Sequence, residues 1–298
     1  MQNSEALRFL FIINPISGGK EKRDWETAIR DFFRESHHSM EFYLLNGESD
    51  VASIRHHVQQ VKPDRVVGVG GDGTVKMIAE ELAGSGIPLG IIPAGSANGM
   101  ARELEIPLEV QAALEVTVNG RIRPIDAIRI NGEQLCIHLS DIGLNALLVH
   151  HFEKSGKRGM WGYGKGVLRV LFQKQLMEVT MHMGPETARR KAYMVVLANA
   201  RTYGTGAVIN PDGDPSDGKF EVVVVRRLNL LELLKMLVTH RPFHPNRIEV
   251  FQTDRLELST RKKANFQIDG EYLGRLKAIR AEVLPGCVHI MVPQAKEA

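Results

Sequence analysis

Cysteine is scarce. Cys136 and Cys287 are the only two in 298 residues, and each sits in an apolar, strand-like run. Two such isolated thiols exclude a disulfide framework and a thiolate zinc site, and leave a reducing cytoplasm as the default compartment. Charge of one sign is also lacking: 38 Lys and Arg stand against 35 Asp and Glu, a net charge of +3, and no long basic tract gathers them. That balance gives no argument for a nucleic-acid partner. No apolar run approaches the roughly 20 residues of a membrane-spanning helix. Residues Met1 to Glu5 carry neither a basic n-region nor an apolar h-region, which argues against a signal peptide. Internal repeats and low-complexity segments are absent too. What remains is an ordinary globular composition on a chain long enough for two domains, each with its own core.

The chain is organised around Gly70-Gly71-Asp72-Gly73-Thr74. An apolar run, Arg65-Val66-Val67-Gly68-Val69, reads as a buried strand before it, and Val75, Ile78, Ala79 and Leu82 mark one face of a helix after it. Glycines at a strand-to-helix turn let the backbone approach a ligand, and the free N–H groups of the helix start suit a phosphate. Asp72 adds a carboxylate for a metal ion or a ribose hydroxyl, and Thr74 is a candidate helix cap. A tight, capped turn with no ligand fits the same residues equally well.

The neighbouring segments favour a ligand. Residues 9–13, 41–45, 65–69 and 88–92 read as strands that alternate with helical patterns, one carrying Trp25, Ala28, Ile29, Phe32 and Phe33, another Val51, Ile54, Val58 and Val61. This predicts an α/β domain with a doubly wound parallel sheet over residues 1–122, in which ligands bind beyond the carboxyl ends of the strands. Loops 14–19, 70–74 and 93–98 all lie there. From about residue 123 the pattern changes. Strand-like runs at 121–130 and 134–142 are joined by Asn131-Gly132, a hairpin signal, and further strands are predicted at 191–198, 219–226, 247–252, 264–268 and 278–284. The second domain, 123–298, therefore reads as a mainly antiparallel β-sandwich, interrupted by helices within 165–174 and 230–238.

Taken in order, Asn14-Pro15-Ile16-Ser17-Gly18-Gly19, Gly70-Gly71-Asp72-Gly73-Thr74 and Pro93-Ala94-Gly95-Ser96-Ala97-Asn98 resemble the nucleotide-binding loops of the diacylglycerol kinase catalytic domain family, which includes bacterial soluble lipid kinases, sphingosine kinases and ceramide kinases. Further on, Asp126 stands where that family has an Asp after the interdomain crossing. Asp217-Gly218-Lys219-Phe220 resembles its Asp-Gly-x-Phe/Leu segment, Gln267-Ile268-Asp269-Gly270-Glu271 resembles its Asp-Gly-Glu motif, and Leu284-Pro285-Gly286 follows. NAD kinases share the glycine motif alone, whereas the ordered set is specific.

The resemblance implies an ATP-dependent kinase that phosphorylates the hydroxyl of diacylglycerol or a related lipid alcohol with Mg2+. It also implies an NAD kinase-like first domain, an active site in the interdomain cleft and a C-terminal tail that packs back on the first domain. By the same resemblance the enzyme is cytoplasmic, works at the inner face of the membrane and forms a homodimer. Asn14, Pro15, Ser17, Gly18, Gly70, Gly71, Asp72, Gly73, Thr74, Ser96 and Asn98 are then expected at the nucleotide. Asn46 is a candidate for the adenosine side or a simple turn former. Glu271 becomes the proton acceptor, although by residue type alone it is a solvated hairpin carboxylate. Asp72, Asp126 and Asp269 are implied as a water-linked set that positions a catalytic Mg2+. Asp217, with the backbone carbonyls of Asp214 and Lys219, is implied to hold a structural Mg2+; an acidic surface turn is the alternative.

Some residues depart from the family pattern. Lys76 and Met77 stand where Asn and Glu are usual, and Ser96-Ala97-Asn98 replaces Thr-Thr-Asn. Lys76 is expected either to touch phosphate or to face solvent. The basic, Gly-rich stretch 154–165, with Trp161 and Tyr163, is a candidate contact with an anionic membrane surface or a solvated loop. Two competing functions remain: an NAD kinase, which leaves the Asn-Pro-x-Ser-Gly and Asp-Gly-Glu segments unexplained, and a non-catalytic nucleotide- or lipid-binding regulator.

Overall fold

A computed structural model describes residues 5–17, 25–47, 50–147, 176–202, 208–227 and 245–295. Gly18, the stretch 154–165 and the helices expected within 165–174 and 230–238 lie outside these. The chain divides into two compact units, one of residues 1–125 and 286–298, the other of residues 126–285. The division thus falls at 125/126 where the sequence suggested 122/123, and the last thirteen residues group with the first unit.

In the first unit, β1 (Arg8–Ile13), β2 (Ser39–Leu44), β3 (Arg65–Gly70) and β4 (Leu89–Pro93) form a parallel sheet in the order β2-β1-β3-β4. Ile290 extends it by pairing with Leu89 in parallel. Phe9 to Ile13, Val66, Val67, Val69 and Leu89 to Ile92 carry little or no exposed surface, because helices cover both faces. One of these helices, α3 (Asp72–Leu82), buries Val75, Ile78, Ala79 and Leu82. Helix α1 (Trp25–Phe32) buries Trp25 and Ile29 of its expected face; in α2 (Asp50–Val61) Ile54 is buried and Val58 and Val61 half-buried, while Val51, expected on the same face, is exposed at the helix start. Two further helices, α4 (Gly99–Glu103) and α5 (Val110–Asn119), carry no strong apolar stripe in the sequence; Glu109 caps α5 by accepting from the N–H groups of Gln111 and Ala112. The chain reverses direction across the sheet between β1 and β3, and that switch point is where an open α/β sheet offers a crevice.

The second unit is antiparallel. Its strands β7 (Leu139–Gly143), β10 (Met194–Ala198), β11 (Phe220–Val225) and β12 (Ile248–Thr253) pair in that order, and β7 continues onto β13 (Arg255–Ile268). Along β13 run β14 (Glu271–Val292) on one side and the hairpin of β8 (Met177–Met183) and β9 (Glu186–Ala192) on the other. Alternate residues of β10 and β11 enter opposite cores. Val195, Leu197, Phe220, Val222 and Val224 pack with Phe266, Leu258 and Ile142, while Met194, Val196, Ala198, Val223 and Val225 pack with Ile209 and Leu144. The predicted hairpin at Asn131-Gly132 joins β5 (Arg121–Ile130) to β6 (Gln134–Cys136), with both residues at positive φ. The single strand expected over 134–142 is two, β6 and β7, because the amides between them bond to a side chain instead of a neighbouring strand.

Candidate functional site

Three loops of the first unit meet at the switch point. After β1, the Asn14 side chain accepts from the Ile16 N–H at 3.2 Å through Oδ1 and donates through Nδ2 to Thr74 Oγ1 at 3.1 Å. Its own N–H bonds the Val69 carbonyl at 2.9 Å, so the loop is held to the end of β3 from both sides. Thr74 is therefore not the cap. Helix α3 begins at Asp72 with Gly71 as its N-cap residue, and no side chain caps it. Thr74 lies in the first turn, buried, and a Cβ on Gly70 would collide with its side chain.

The loop after β4 abuts this turn. A Cβ on Gly95 would lie 2.5 Å from Gly71 Cα and 2.9 Å from Asn98 Oδ1. Asn98, in the left-handed region at φ 51°, accepts from the Gly95 N–H at 2.8 Å and returns a bond to the Gly95 carbonyl at 2.9 Å. Asp72 Oδ1 accepts from the Met100 N–H at 3.1 Å, which fastens the start of α3 to the start of α4. Packing accounts for Gly70, Gly71 and Gly95. It does not account for Gly73, which is exposed and whose absent Cβ would meet nothing within 4 Å. Beside it, the N–H groups of the first turn have no intrahelical acceptor, and the positive end of the helix dipole favours an anion. Ser96 is exposed in the facing loop, and Pro15 and Ile16 are exposed after β1. Asn46 lies farther along, in a turn where Asp50 accepts from the N–H groups of Asn46 and Gly47. Lys76 does not face solvent: it is 7 % exposed, with its Nζ 4.0 Å from Glu80.

In the second unit, Asp269 and Gly270 form the two-residue turn between β13 and β14, both at positive φ (48° and 88°), and Ile268 pairs with Glu271 across it. The Asp269 carboxylate accepts from the N–H groups of Ile137, His138 and Leu139, each at 3.0 Å, and from the Cys136 thiol at 3.3 Å. It is a clasp between the hairpin and the gap separating β6 from β7. The family resemblance implied a water-linked, metal-positioning set for it; in the structure four donors lie on its oxygens. Asp126 is more deeply buried than the half-buried Asp269, at 2 % exposed, and its Oδ2 accepts from the Gly218 N–H at 2.7 Å while its own N–H bonds the Pro215 carbonyl at 2.7 Å. Glu271 is exposed at the first residue of β14.

Asp217 is exposed. Its oxygens accept from the Lys219 N–H at 3.0 Å and from Gln252 Nε2 at 2.9 Å, and the Asp214 carboxylate accepts from the Ser216 N–H at 3.0 Å. Gln252 also donates to Glu221, which Asn210 meets from the other side. Burial raises the Glu221 carboxyl above the ordinary glutamate range, with nearby Asp217 adding to the rise against the lowering effect of the two amides. Among the described residues, no group of three or more His, Cys, Asp or Glu side chains comes together as a metal site.

Sequence reasoning missed three buried polar residues. Asn199 donates to the carbonyls of Asp126 and Ile137, and Asp141 and Gln267 bond to each other. Their signal was a polar residue inside an apolar strand, as in Leu139-Ser140-Asp141-Ile142.

The diacylglycerol kinase catalytic domain model matches residues 8–130, and the model of the YegS C-terminal NAD kinase beta sandwich-like domain matches residues 141–292. A "probable lipid kinase YegS-like" protein of Pectobacterium atrosepticum is 30% identical over 293 residues, 95% of each chain. The diacylglycerol kinase of Bacillus subtilis is 24% identical over 297 residues, 97% of each chain. The crystal structure of a diacylglycerol kinase from Bacillus anthracis strain Sterne superposes with a TM-score of 0.76 at 19% identity, over 97% of this chain and 98% of that one, which shows a common fold.

Proposed function

The chain belongs to the diacylglycerol kinase catalytic domain family, and from that membership we propose that it transfers the γ-phosphate of ATP to the hydroxyl of diacylglycerol or a related lipid alcohol. The observation that carries the nucleotide half of this reading is the convergence of three loops on an open helix start at the switch point. Gly73 keeps the space before the first-turn N–H groups clear, and Asn14, Asp72 and Asn98 lock the loops around it. Phosphates held there would accept backbone N–H bonds, with the Ser96 hydroxyl as a further donor.

Mg2+ suits this site. Asp72 has one oxygen on Met100 and a second with no hydrogen bond among the described residues, and Mg2+ prefers one or two carboxylates completed by water. Bound there, the ion would neutralise charge on the phosphates. Asp126 and Asp269 are better assigned to holding the second unit together, since their carboxylates take backbone N–H groups. A structural Mg2+ on Asp217 and the carbonyls of Asp214 and Lys219 fits by donor type, all hard oxygens, with Gln252 as the group sharing the carboxylate.

Glu271 is the proposed base. It takes the proton of the acceptor hydroxyl as the new O–P bond forms and the bond from the γ-phosphorus to the bridging oxygen breaks, releasing ADP. A lipid alcohol is a weak nucleophile at neutral pH, so a general base at this step is expected, and a carboxylate can serve. Among the described residues no helix is long and apolar enough to cross a membrane, and we place the enzyme on the cytoplasmic face of the membrane as a peripheral protein.

The test is γ-phosphate transfer from ATP with Mg2+ to a total lipid extract in mixed micelles, with products identified by mass in the organic phase. A new organic-phase phosphate ester supports the reading and names the acceptor. ATP binding without transfer to any lipid overturns it.

A further inference from the structure

Gln267 is 2 % exposed and Asp141 fully buried, yet neither has a task in the chemistry described above. They face each other in the register between β13 and β7. Gln267 Nε2 donates to Asp141 Oδ2, and Gln267 Oε1 accepts from the Gly270 N–H at 2.7 Å. Asp141 is fixed in turn by the Asn145 side-chain amide at 2.6 Å and the Ala146 N–H at 2.8 Å. The Ser140 hydroxyl donates to the Gln267 carbonyl at 2.7 Å, and the Asp269 N–H donates to the Leu139 carbonyl at 2.9 Å. The two-residue turn that ends in Glu271 is thus pinned on both sides, by Asp269 towards residues 136–139 and by Gln267 towards residues 140–146.

The chemistry of the amide makes this arrangement directional. The Asp141 carboxyl already accepts from the Asn145 amide and the Ala146 N–H and presents an acceptor to Gln267, and a backbone N–H only donates. A Gln between them satisfies both in one flip state and neither in the other. Asp141 therefore selects the state in which the side-chain oxygen of Gln267, Oε1, faces Gly270.

We propose that Gln267, oriented by Asp141, is a positioning residue that sets the direction of the Glu271 carboxylate through the Gly270 amide. The proposal rests on Glu271 as the base. Loss of the Gly270 bond frees the turn on the Gln267 side and lets Glu271 leave its productive direction, while the nucleotide loops of the first unit are untouched. A misplacement of about 1 Å at a reacting group costs on the order of 100-fold in rate.

Gln267→Leu is expected to lower kcat by about 100-fold with the KM for ATP unchanged. Gln267→Glu supplies a second readout. Among the described residues, the titratable groups around position 267 are Asp141 from β7, and Asp269, Glu271 and Tyr272 from its own hairpin, with Arg275 paired to neighbouring Asn265. Beside Asp141, a glutamic acid at 267 holds its proton more tightly than usual. Protonated, it donates to Asp141 and accepts from Gly270 as Gln does; ionised, it repels Asp141. The kcat of Gln267→Glu should therefore approach wild type at low pH and fall as pH rises, a limb absent from the wild-type profile.

Circular dichroism and ATP titration on each variant confirm that it is folded. A Gln267→Glu profile superimposable on wild type, or a Gln267→Leu kcat within two-fold of wild type, overturns the proposal. The parent reading fails separately, if Glu271→Gln itself retains turnover.

Discussion

Replacing Asp269 distinguishes a structural carboxylate from a metal-holding one. Its oxygens accept from three backbone amides at 3.0 Å and a thiol at 3.3 Å. Ile137, His138 and Leu139 are buried while Asp269 is half-buried, so their amides exchange this acceptor for water only where the vacated carboxylate site admits it. At about 1–2 kcal/mol for each stranded amide, Asp269→Ala should lose roughly 3–6 kcal/mol, a large share of the roughly 5–15 kcal/mol that stabilises a domain. The backbone adds a second signature. Asp269 is in the left-handed region at φ 48°, which disfavours any residue with a Cβ by roughly 1 kcal/mol. Asp269→Gly should then be about 1 kcal/mol more stable than Asp269→Ala, although both lack the carboxylate. That difference comes from the backbone and holds whichever role the carboxylate has, so the discriminating readout is the protection of the three amides. The assay is native-state hydrogen exchange read at Ile137, His138 and Leu139, with urea titration for the whole unit. Exchange at those three amides should accelerate by two or more orders of magnitude in the Ala variant, since about 3 kcal/mol corresponds to a factor of more than 100. Unchanged protection there, with stability within about 1 kcal/mol of wild type, refutes the clasp.

Four other outcomes are expected. Glu271→Gln should lower kcat by at least about 100-fold with ATP affinity intact by calorimetric titration; near-normal turnover rejects the base assignment. Gly95→Ala should weaken ATP binding by more than ten-fold, because the new Cβ would lie 2.5 Å from Gly71 Cα and must part the two loops; unchanged affinity means the loops are not the site. Asn14→Ala, Thr74→Val and the double variant should show a coupling of about 1 kcal/mol in nucleotide binding, and additivity removes the Asn14–Thr74 bond from the argument. For Glu221, burial raises the folded-state carboxyl value, so the folded protein holds its proton longer than the unfolded chain. Stability should fall as pH rises from the ordinary glutamate value through the raised one. Glu221→Gln should abolish that slope in denaturant titrations, and a slope equal to wild type counts against the assignment.

The first unit was legible because its information is local. Strand, glycine turn and helix follow one another within residues 65–82, and the apolar periods of 2 and 3.6 are properties of neighbouring residues. The loops at 14–17, 70–74 and 93–98 fall at the carboxyl ends of β1, β3 and β4 as parallel-sheet topology requires. Thr74 was misread as a cap because the helix boundary depends on where Gly71 leaves the strand, a matter of one or two residues. The second unit was legible only as antiparallel strands. The expected strands at 264–268 and 278–284 are fragments of β13 and β14, whose alternation is broken by the charged run Arg261-Lys262-Lys263 and, between Glu271 and Lys277, by Gly274 and Arg275.

The sequence by itself determined the α/β and antiparallel halves, the order of the loops at 14–17, 70–74 and 93–98 and the residue types they carry, since each follows from a short window of chain. Tertiary structure alone decided which groups the carboxylates meet. Asp269 meets amides 130 to 132 positions earlier, Asp126 an amide 92 positions later, and Asp141 an amide side chain 126 positions later. No local pattern encodes those encounters. They arise when strands distant in sequence pair and carry acceptor and donor out of water together, where an unmet polar group costs more than any single turn preference.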